Sequence, residues 1–185
     1  MRNLSVIWFI LLFISIIACT SKSGNNPSLN KGSTVSGKVI SIIDGDTYDV
    51  LIQDNKTIRV RMEGIDAPEK GMPFYKVSKN HLSDLCFGKQ VNLKITGEDK
   101  YERVLAFAYL EDGRELSQEM IKAGLAWHFK KYNSDTILSS FEIEARRLQK
   151  GIWIDNNPMA PWTNRNYHRQ GISTKDSFNI KESER

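Results

Sequence analysis

The sequence predicts an α+β domain, mainly β: a five-stranded Greek-key barrel of the OB type with about three helices. Five short segments of β-branched or alternating apolar residues, each bounded by turn residues, predict the strands. Segments with helical spacing lie between and after them. The strand pattern alone also fits other α+β arrangements, so the choice of a barrel stays open at this stage.

The first three strands are separated by the turn dipeptides Asp44-Gly45 and Asp54-Asn55. Short turns of this kind join neighbouring antiparallel strands, so we expect a meander. The predicted strands are Thr34–Ile43, Thr47–Gln53, Thr57–Met62, Gln90–Ile95 and Val104–Leu110.

Three later segments have apolar residues at helical spacing, and a glycine follows each. They are Phe74–Phe87, Leu116–Ala123 and Asp135–Gln149. The chain becomes irregular after Trp153, and the polar residues 163–185 are expected to form a loosely ordered tail. The domain is therefore predicted to span residues 34–162.

The N-terminal segment, residues 1–18, has one positive charge followed by an apolar run too short to span a bilayer comfortably. It predicts a signal peptide. Its end, Ile16-Ile17-Ala18-Cys19, is similar to a bacterial lipobox, which implies lipidation of Cys19. An ordinary signal peptide with an incidental cysteine is the alternative. Residues 19–33 have the polar composition of a flexible tether, so we expect an exported protein, lipid-anchored at a periplasmic or surface face of the cell envelope.

Charge and cysteine content limit the class of protein. The net charge of +4 and the pI near 9.0 favour an acidic partner such as nucleic acid, although many basic proteins bind none. The second cysteine, Cys86, lies in an apolar run and is expected to be a buried free thiol. A zinc site is not predicted, because the histidines are scattered. They are His81, His128 and His168.

Asp44-Gly45-Asp46-Thr47 is the first of two acidic motifs. Taken alone it fits a tight hairpin turn, because Asp-Gly is common in such turns. An EF-hand loop is excluded, since Asp49 and Asn55 occupy the positions that require Gly and Glu. Asp46 begins a strand, from which its carboxylate can point across the barrel.

The second motif, Ile65-Asp66-Ala67-Pro68-Glu69, follows a strand that carries Arg61. Pro68 fixes a bend, and Gly64 can provide the second bend that Arg61 and Asp66 need in order to converge. A solvated acidic loop is the alternative. Three carboxylates able to share a hard cation, with two guanidiniums able to grip one phosphate, indicate a metal-dependent phosphodiesterase. These are Asp46, Asp66 and Glu69 with Arg61 and Arg103.

The ordered motifs DGDT, VRxxGIDAPE, DKYxR, GLAW and ExEAR ahead of Gly-Ile-Trp resemble the staphylococcal nuclease (thermonuclease-like) family. The resemblance runs from about Ser36 to Trp153, and Asn157–Trp162 looks like the C-terminal extension of the bacterial branch. It implies Ca²⁺ bound by the Asp46 and Asp66 carboxylates and the Ala67 carbonyl. The residue usually found in the family at Ala67 is Thr.

The resemblance also implies that Glu69 is the general base, acting on a metal-bound water, while Arg61 and Arg103 hold the scissile phosphate. Lys100 and Tyr101 match positions beside the terminal phosphate of the nucleotide. Two positions depart from the family pattern. Glu102 replaces a usual Gly, so it is strained if the backbone there needs a positive φ. Its side chain either competes with phosphate for Arg103 or, as we expect, faces solvent.

Lys130 replaces a tyrosine that stacks on a base in the best-known member of the family. Tyr132, Trp127 and His128 are nearby candidates for that stacking, while the plain interpretation of His128 is a packing residue. The Lys130-Lys131 pair is either a solvated edge or a contact for backbone phosphates.

These features predict a monomeric, calcium-dependent endonuclease of low sequence selectivity that cleaves DNA and/or RNA. The family resemblance implies that it leaves 3′-phosphorylated products. One rival is a catalytically silent OB-fold protein that binds single strands. A second is a surface scaffold lipoprotein with no calcium dependence. The retained acids and arginines favour the enzyme.

Overall fold

Five strands close into a barrel in the computed structural model, which describes residues 29–183. They are β1 (Thr34–Ile42), β2 (Thr47–Leu51), β3 (Thr57–Met62), β5 (Gln90–Glu98) and β6 (Val104–Leu110). Around the barrel the order is β1-β2-β3-β6-β5. Both β1–β2 and β2–β3 are antiparallel, so the predicted meander and the α+β barrel are confirmed. Two short strands, β4 (Ile65–Asp66) and β7 (Trp127–His128), pair only with each other.

The described part of the chain also contains five α-helices, and three of them match the predicted segments to within two residues at each end. They are α1 (Tyr75–Cys86), α2 (Leu116–Lys122), α3 (Thr136–Arg147), α4 (Pro161–Arg169) and α5 (Thr174–Ser183). The start of α3 is set by Asp135, whose carboxylate accepts hydrogen bonds from the Ile137 and Leu138 N–H groups.

The expectation of a loosely ordered tail after residue 162 is wrong, because α4 and α5 occupy most of that segment. Pro161 at the first turn of α4 supplies a backbone angle suited to a helix start. The two helices are held by buried polar contacts. Asn164 and Ser177 are both fully buried, and the Ser177 hydroxyl, which donates to the Thr174 carbonyl at 2.7 Å, lies 3.3 Å from Asn164 Oδ1. Because these buried residues are polar, the sequence of the two helices shows no apolar stripe from which they could be predicted.

The barrel interior is filled by alternate strand residues, and α1 and α2 cover it. As predicted, Cys86 is a buried free thiol, and it donates to the Leu82 carbonyl at 3.2 Å. Burial raises the pKa of Cys86 to about 12, so the thiol is unreactive at neutral pH. The buried strand residues include Val39, Val50, Val60, Leu93, Ile95, Ala106 and Ala108.

The predicted signal peptide (residues 1–18), Cys19 and most of the tether (19–33) lie outside the described residues.

Among residues 29–183, no helix combines the length and the apolar character needed to cross a membrane.

The parallel pairing of β3 with β6 brings the two predicted phosphate-binding arginines to one face of the sheet. Arg61 pairs with Leu105, and Val60 pairs with Val104. Because side chains alternate along a strand, Arg103 points to the same side as Leu105 and therefore as Arg61. The catalytic candidates thus lie where β3 ends and β6 begins.

Gly64 forms the bend between β3 and β4, as the sequence predicts. Its φ of +78° lies in the left-handed region, and an added Cβ would lie 2.8 Å from Leu138 Cδ1. Its carbonyl accepts a hydrogen bond from Phe129 N–H at 2.8 Å. Any side chain at this position would meet both backbone strain and a steric clash.

We therefore expect Gly64→Ala to lower the free energy of unfolding by at least about 1–2 kcal/mol, the usual cost of a left-handed residue with a Cβ. Urea denaturation followed by tryptophan fluorescence measures this loss. Gly97→Ala is the matched control, because nothing lies within 4 Å of its added Cβ. Equal losses for the two variants would contradict this account of the bend.

Candidate active site

An open cleft of about 1460 Å³ lies beside the ends of β3 and β4. Every predicted site residue within the described part of the chain lines it, whereas Cys19 lies outside that part. The structure therefore brings these predicted residues together at one surface. They are Asp46, Arg61, Asp66, Ala67, Glu69, Lys100, Tyr101, Arg103 and Tyr132.

Asp46 reaches the cleft from the turn between β1 and β2. The motif Asp44-Gly45-Asp46-Thr47 thus forms a hairpin turn and also supplies residues to the cleft. The Asp46 carboxylate is buried and accepts hydrogen bonds from Ala67 N–H at 2.6 Å and Thr47 Oγ1 at 2.9 Å. A side chain at Gly45 would clash with Ser78 of α1, so α1 packs directly against the turn. These contacts hold the Asp46 carboxylate in one place.

Arg61 joins the two acidic motifs. Its Nη1 donates to the carbonyls of Met62 at 3.0 Å and Ile65 at 2.8 Å, which closes the bend between β3 and β4. Its Nη2 lies 3.0 Å from Asp66 Oδ1, and its Nε lies 3.3 Å from Asp46 Oδ1. The guanidinium is therefore preorganised between two buried carboxylates.

Asp66 and Glu69 are both bound by residues of α4. Arg165 forms a two-point contact with Asp66, at 2.6 Å to Oδ2 and 3.2 Å to Oδ1. Its Nη1 also donates to Glu69 Oε1 at 2.6 Å. The Asn164 amide donates to Glu69 Oε2 at 3.4 Å. The sequence argument placed none of these α4 residues in the site.

Three carboxylates contact two guanidiniums: Asp46 and Asp66 contact Arg61, and Asp66 and Glu69 contact Arg165. Asp44 lies beside them, where its Oδ1 accepts from Asp46 N–H at 3.0 Å. Burial, together with the charge of neighbouring Asp46, raises the pKa of Asp44 to about 7. Burial also raises the pKa of Asp66, and Arg165 and Arg61 only partly offset this effect. Burial opposes the charge on Arg165, but its bonds to Asp66 and Glu69 outweigh it and raise its pKa.

Carboxylate and carbonyl oxygens are the donors that a hard divalent cation prefers. Within residues 29–183, His, Cys, Asp and Glu side chains form no group of three that could hold a metal ion by themselves. A calcium ion at the Asp46 and Asp66 carboxylates would therefore also need the Ala67 carbonyl and water. Ca²⁺ commonly takes such mixed oxygen ligands.

Arg103 lies at the turn between β5 and β6, where Asp99 organises both the backbone and the guanidinium. Asp99 accepts from Arg103 Nε at 2.8 Å and from the N–H groups of Tyr101 and Arg103. Burial opposes the charge on Asp99, yet these bonds lower its pKa. Glu102 has φ +60°, so the backbone does take the left-handed conformation that favours Gly, and the residue is exposed.

The far wall of the cleft is aromatic and basic. Lys130 pairs with the buried Glu142 at 2.7 Å, so it is a fixed edge of the wall rather than a free side chain. Phe129 stacks on Trp162 with ring centroids 5.3 Å apart, and Tyr132 packs edge-on against Phe129 at 5.0 Å. Tyr132 and Tyr101 expose 70% and 67% of their surface, so both are open to a ligand.

His128 is buried, with Nδ1 3.0 Å from Ser139 Oγ and Nε2 3.0 Å from Asn133 Oδ1. These contacts fix the ring between α3 and the loop that carries Tyr132. They agree with the interpretation of His128 as a packing residue. Trp127 is also buried, in edge contact with Trp153 at 5.4 Å, and is not available for stacking on a base.

The sequence argument missed Trp162, Asn164 and Arg165. The available signal was local: Pro161 at a helix start, followed by polar residues able to form a helix. Nothing in that pattern indicates a contact between Arg165 and Asp66, which are 99 residues apart.

Comparison with known proteins gives a match to the family model described as staphylococcal nuclease homologue, over residues 59–155. An Escherichia coli protein named as an uncharacterized endonuclease is 37% identical over 69% of this chain and 83% of its own length. A Haemophilus influenzae protein of the same name is 38% identical over 82% of this chain and 79% of its own.

A micrococcal nuclease of Shigella flexneri is 37% identical, with 68% of this chain and 78% of its own covered. The family-model match includes Arg61, Asp66, Glu69 and Arg103, and so most of the cleft described above. The chain therefore belongs to the staphylococcal nuclease homologue family.

Proposed function

We propose that this protein is a nuclease: a calcium-dependent endonuclease of low sequence selectivity that hydrolyses DNA and/or RNA and leaves 3′-phosphorylated products. One observation carries the proposal. The guanidiniums of Arg61 and Arg103 and the carboxylates of Asp46, Asp66 and Glu69 line a single open cleft. The names of the relatives from Escherichia coli, Haemophilus influenzae and Shigella flexneri support the same class of reaction.

A phosphodiester is anionic and repels the oxygen nucleophile that must attack it, so the site has to supply positive charge. Arg103 is suited to this because a planar guanidinium can donate to two phosphate oxygens at once. Arg61 adds its positive charge and one Nη2 N–H, since its other N–H groups are bound to carbonyls and carboxylates. Both are held before substrate arrives, Arg61 by carbonyls and carboxylates and Arg103 by Asp99. Loss of one preorganised donor typically costs about 3 kcal/mol of barrier, or about a hundredfold in rate.

The Asp46 and Asp66 carboxylates and the Ala67 carbonyl would hold the calcium ion. When bound, the ion supplies further positive charge against the charge that builds on the phosphate. Its proposed place is supported by the two buried carboxylates of Asp46 and Asp66, which both contact Arg61. Arg61 contacts both Asp46 and Asp66, so it keeps the two carboxylates close together in the absence of metal.

Glu69 is the proposed general base, which accepts the proton of the attacking water at a carboxylate oxygen. Pro68 precedes it and restricts the backbone. The Glu69 side chain is about one-third exposed, so water can reach it.

Substrate binding is assigned to the basic and aromatic wall of the cleft. Lys100 lies 4.9 Å from the centre of the Tyr101 ring, and both are exposed at the mouth. Tyr132 provides a second exposed ring. Stacking on aromatic rings accepts any base, which supports low sequence selectivity. An open cleft with rings at its rim fits a single strand.

The lipid anchor is also a proposal, which the lipobox-like sequence before Cys19 supports. We infer that acyl chains at Cys19 hold the enzyme at the periplasmic or surface face of a bacterial membrane.

Its test is Cys19→Ser in the full-length chain, expressed in a bacterial host. We expect the wild-type protein in the membrane fraction and the variant released from it. A variant that stays with the membrane to the wild-type extent would contradict the anchor.

The test of function is calcium-dependent cleavage of single-stranded DNA by the full-length chain in detergent. We expect cleavage with Ca²⁺, loss of cleavage when a chelator is added, and recovery on adding Ca²⁺ back. Activity that survives chelation would contradict the metal assignment. Binding of the strand without cleavage would favour a silent OB-fold binder.

Variants then test the assigned roles. Arg103→Ala should lower the rate about a hundredfold, because one preorganised donor is lost, and Glu69→Gln should also cut it sharply. Arg114→Ala is the matched control, since Arg114 is held by Asp112 at 2.8 Å much as Arg103 is held by Asp99, and it does not line the cleft. A near-normal rate for either site variant would remove its assigned role.

A further inference from the structure

We propose that Asn164 and Arg165 of α4 form a clamp that positions the carboxylates of Glu69 and Asp66 for catalysis. Under this proposal helix α4 is part of the catalytic apparatus, and Arg165 is a positioning residue. The inference rests on the nuclease function proposed above.

The clamp holds Glu69 at both carboxylate oxygens. Arg165 Nη1 donates to Oε1 at 2.6 Å, and Asn164 Nδ2 donates to Oε2 at 3.4 Å. A glutamate side chain otherwise has several free torsions, which must be fixed before it can take a proton from water. Holding a reacting group in one geometry beforehand is a major source of rate enhancement.

The same guanidinium fixes Asp66. Its Nη2 donates to Asp66 Oδ2 at 2.6 Å and its Nη1 lies 3.2 Å from Oδ1. Arg165 therefore sets the relative positions of Glu69 and Asp66. A planar fork can do this, whereas the single ammonium of a lysine cannot match both carboxylates.

The clamp is anchored from behind by the second C-terminal helix. Asn164 is fully buried, and its Oδ1 lies 3.3 Å from the hydroxyl of Ser177 in α5. The amide nitrogen faces Glu69 instead. Pro161 and Met159 are buried beside it. Such burial favours a permanent support over a lid that opens in each cycle.

The clamp also comes from a different part of the chain from the groups it holds. The family model covers residues 59–155, which include Asp66 and Glu69, while α4 and α5 lie beyond it. The barrel thus supplies the reacting carboxylates, and the C-terminal segment supplies their positioning.

The position of Arg165 predicts opposite effects on metal binding and on chemistry. Its positively charged guanidinium contacts both carboxylate oxygens of Asp66, so it repels a cation bound to them. Removing it should strengthen Ca²⁺ binding and, at the same time, free the Glu69 carboxylate to move. Substitution of a metal ligand would instead weaken Ca²⁺ binding. Substitution of a residue needed only for folding would impair both Ca²⁺ binding and catalysis.

The experiment compares Arg165→Ala with wild type in the full-length chain in detergent. Calorimetry measures the Ca²⁺ Kd without nucleic acid, and kinetics on a single-stranded oligonucleotide give kcat and KM. We expect kcat to fall at least thirtyfold, KM to stay within threefold, and the Ca²⁺ Kd to become at least threefold tighter. Arg165→Lys should recover part of kcat.

The matched control is Arg147→Ala, a helical arginine of α3 that does not line the cleft. Arg147 is exposed and its guanidinium donates to both oxygens of Glu144, at 2.8 and 2.6 Å. This variant should leave kcat and the Ca²⁺ Kd within twofold of wild type. If Arg165→Ala does not fold by circular dichroism, Arg165→Gln takes its place, since glutamine removes the charge and keeps one donor.

Three results would overturn the clamp: an unchanged kcat, a weaker Ca²⁺ Kd, or a loss of activity that lies entirely in KM. The last would make Arg165 a contact for substrate phosphate. A wild-type protein that cleaves nothing would instead overturn the proposed nuclease function, and calorimetry would still report whether Arg165 opposes the ion.

Discussion

The Arg61 guanidinium links the end of β3, the bend after it, β4 and the β1–β2 turn into one unit. It donates to the Met62 and Ile65 carbonyls and contacts the Asp66 and Asp46 carboxylates, with only 12% of its side chain exposed. Removal of one partner from a buried ion pair costs about 3–5 kcal/mol. Arg61 is therefore a structural element as well as the proposed phosphate ligand.

This double role affects how the site should be probed. A change at Arg61 would alter the positions of Asp46 and Asp66 together with any phosphate contact. Arg103 is a better residue to substitute, because it lies in a turn at the rim of the cleft. Among the described residues, Asp99 is the one carboxylate that forms an ion pair with its guanidinium. The two arginines carry the same charge, but only a change at Arg61 would also disturb the positions of Asp46 and Asp66.

The barrel and the C-terminal helices make separate contributions to the site. The barrel places Asp46, Asp66 and Arg61 through strand pairing and the bend at Gly64. Helix α4 then adds Arg165, so that the buried Asp66 lies between two guanidiniums. The carboxylate oxygens that the barrel brings together are of the kind that Ca²⁺ binds, and this links the fold to the proposed calcium dependence.

The sequence was sufficient for the parts of the fold that follow from periodicity. Five barrel strands and three helices were predictable because apolar residues recur at strand or helix spacing and turn residues separate them. The strands β4 and β7 have only two residues each, too few for a periodic signal. Helices α4 and α5 bury polar residues such as Asn164 and Ser177, which resemble solvent-exposed residues in a sequence.

The candidate site divides in the same way. The grouping of Asp46, Asp66, Glu69, Arg61 and Arg103 was predictable, since their motifs lie at strand ends and matched a family pattern. The partner of Asp66 and Glu69 was not, because Arg165 reaches them only through tertiary packing. The left-handed backbone at Glu102 likewise depends on the turn that Asp99 organises rather than on the residue itself.

A crystal structure with Ca²⁺ and a nucleoside 3′,5′-bisphosphate would test the central claim most directly. The account predicts one ion bound by the carboxylates of Asp46 and Asp66, with a phosphate of the nucleotide between the guanidiniums of Arg61 and Arg103. An ion bound elsewhere, or a phosphate that contacts neither arginine, would contradict it.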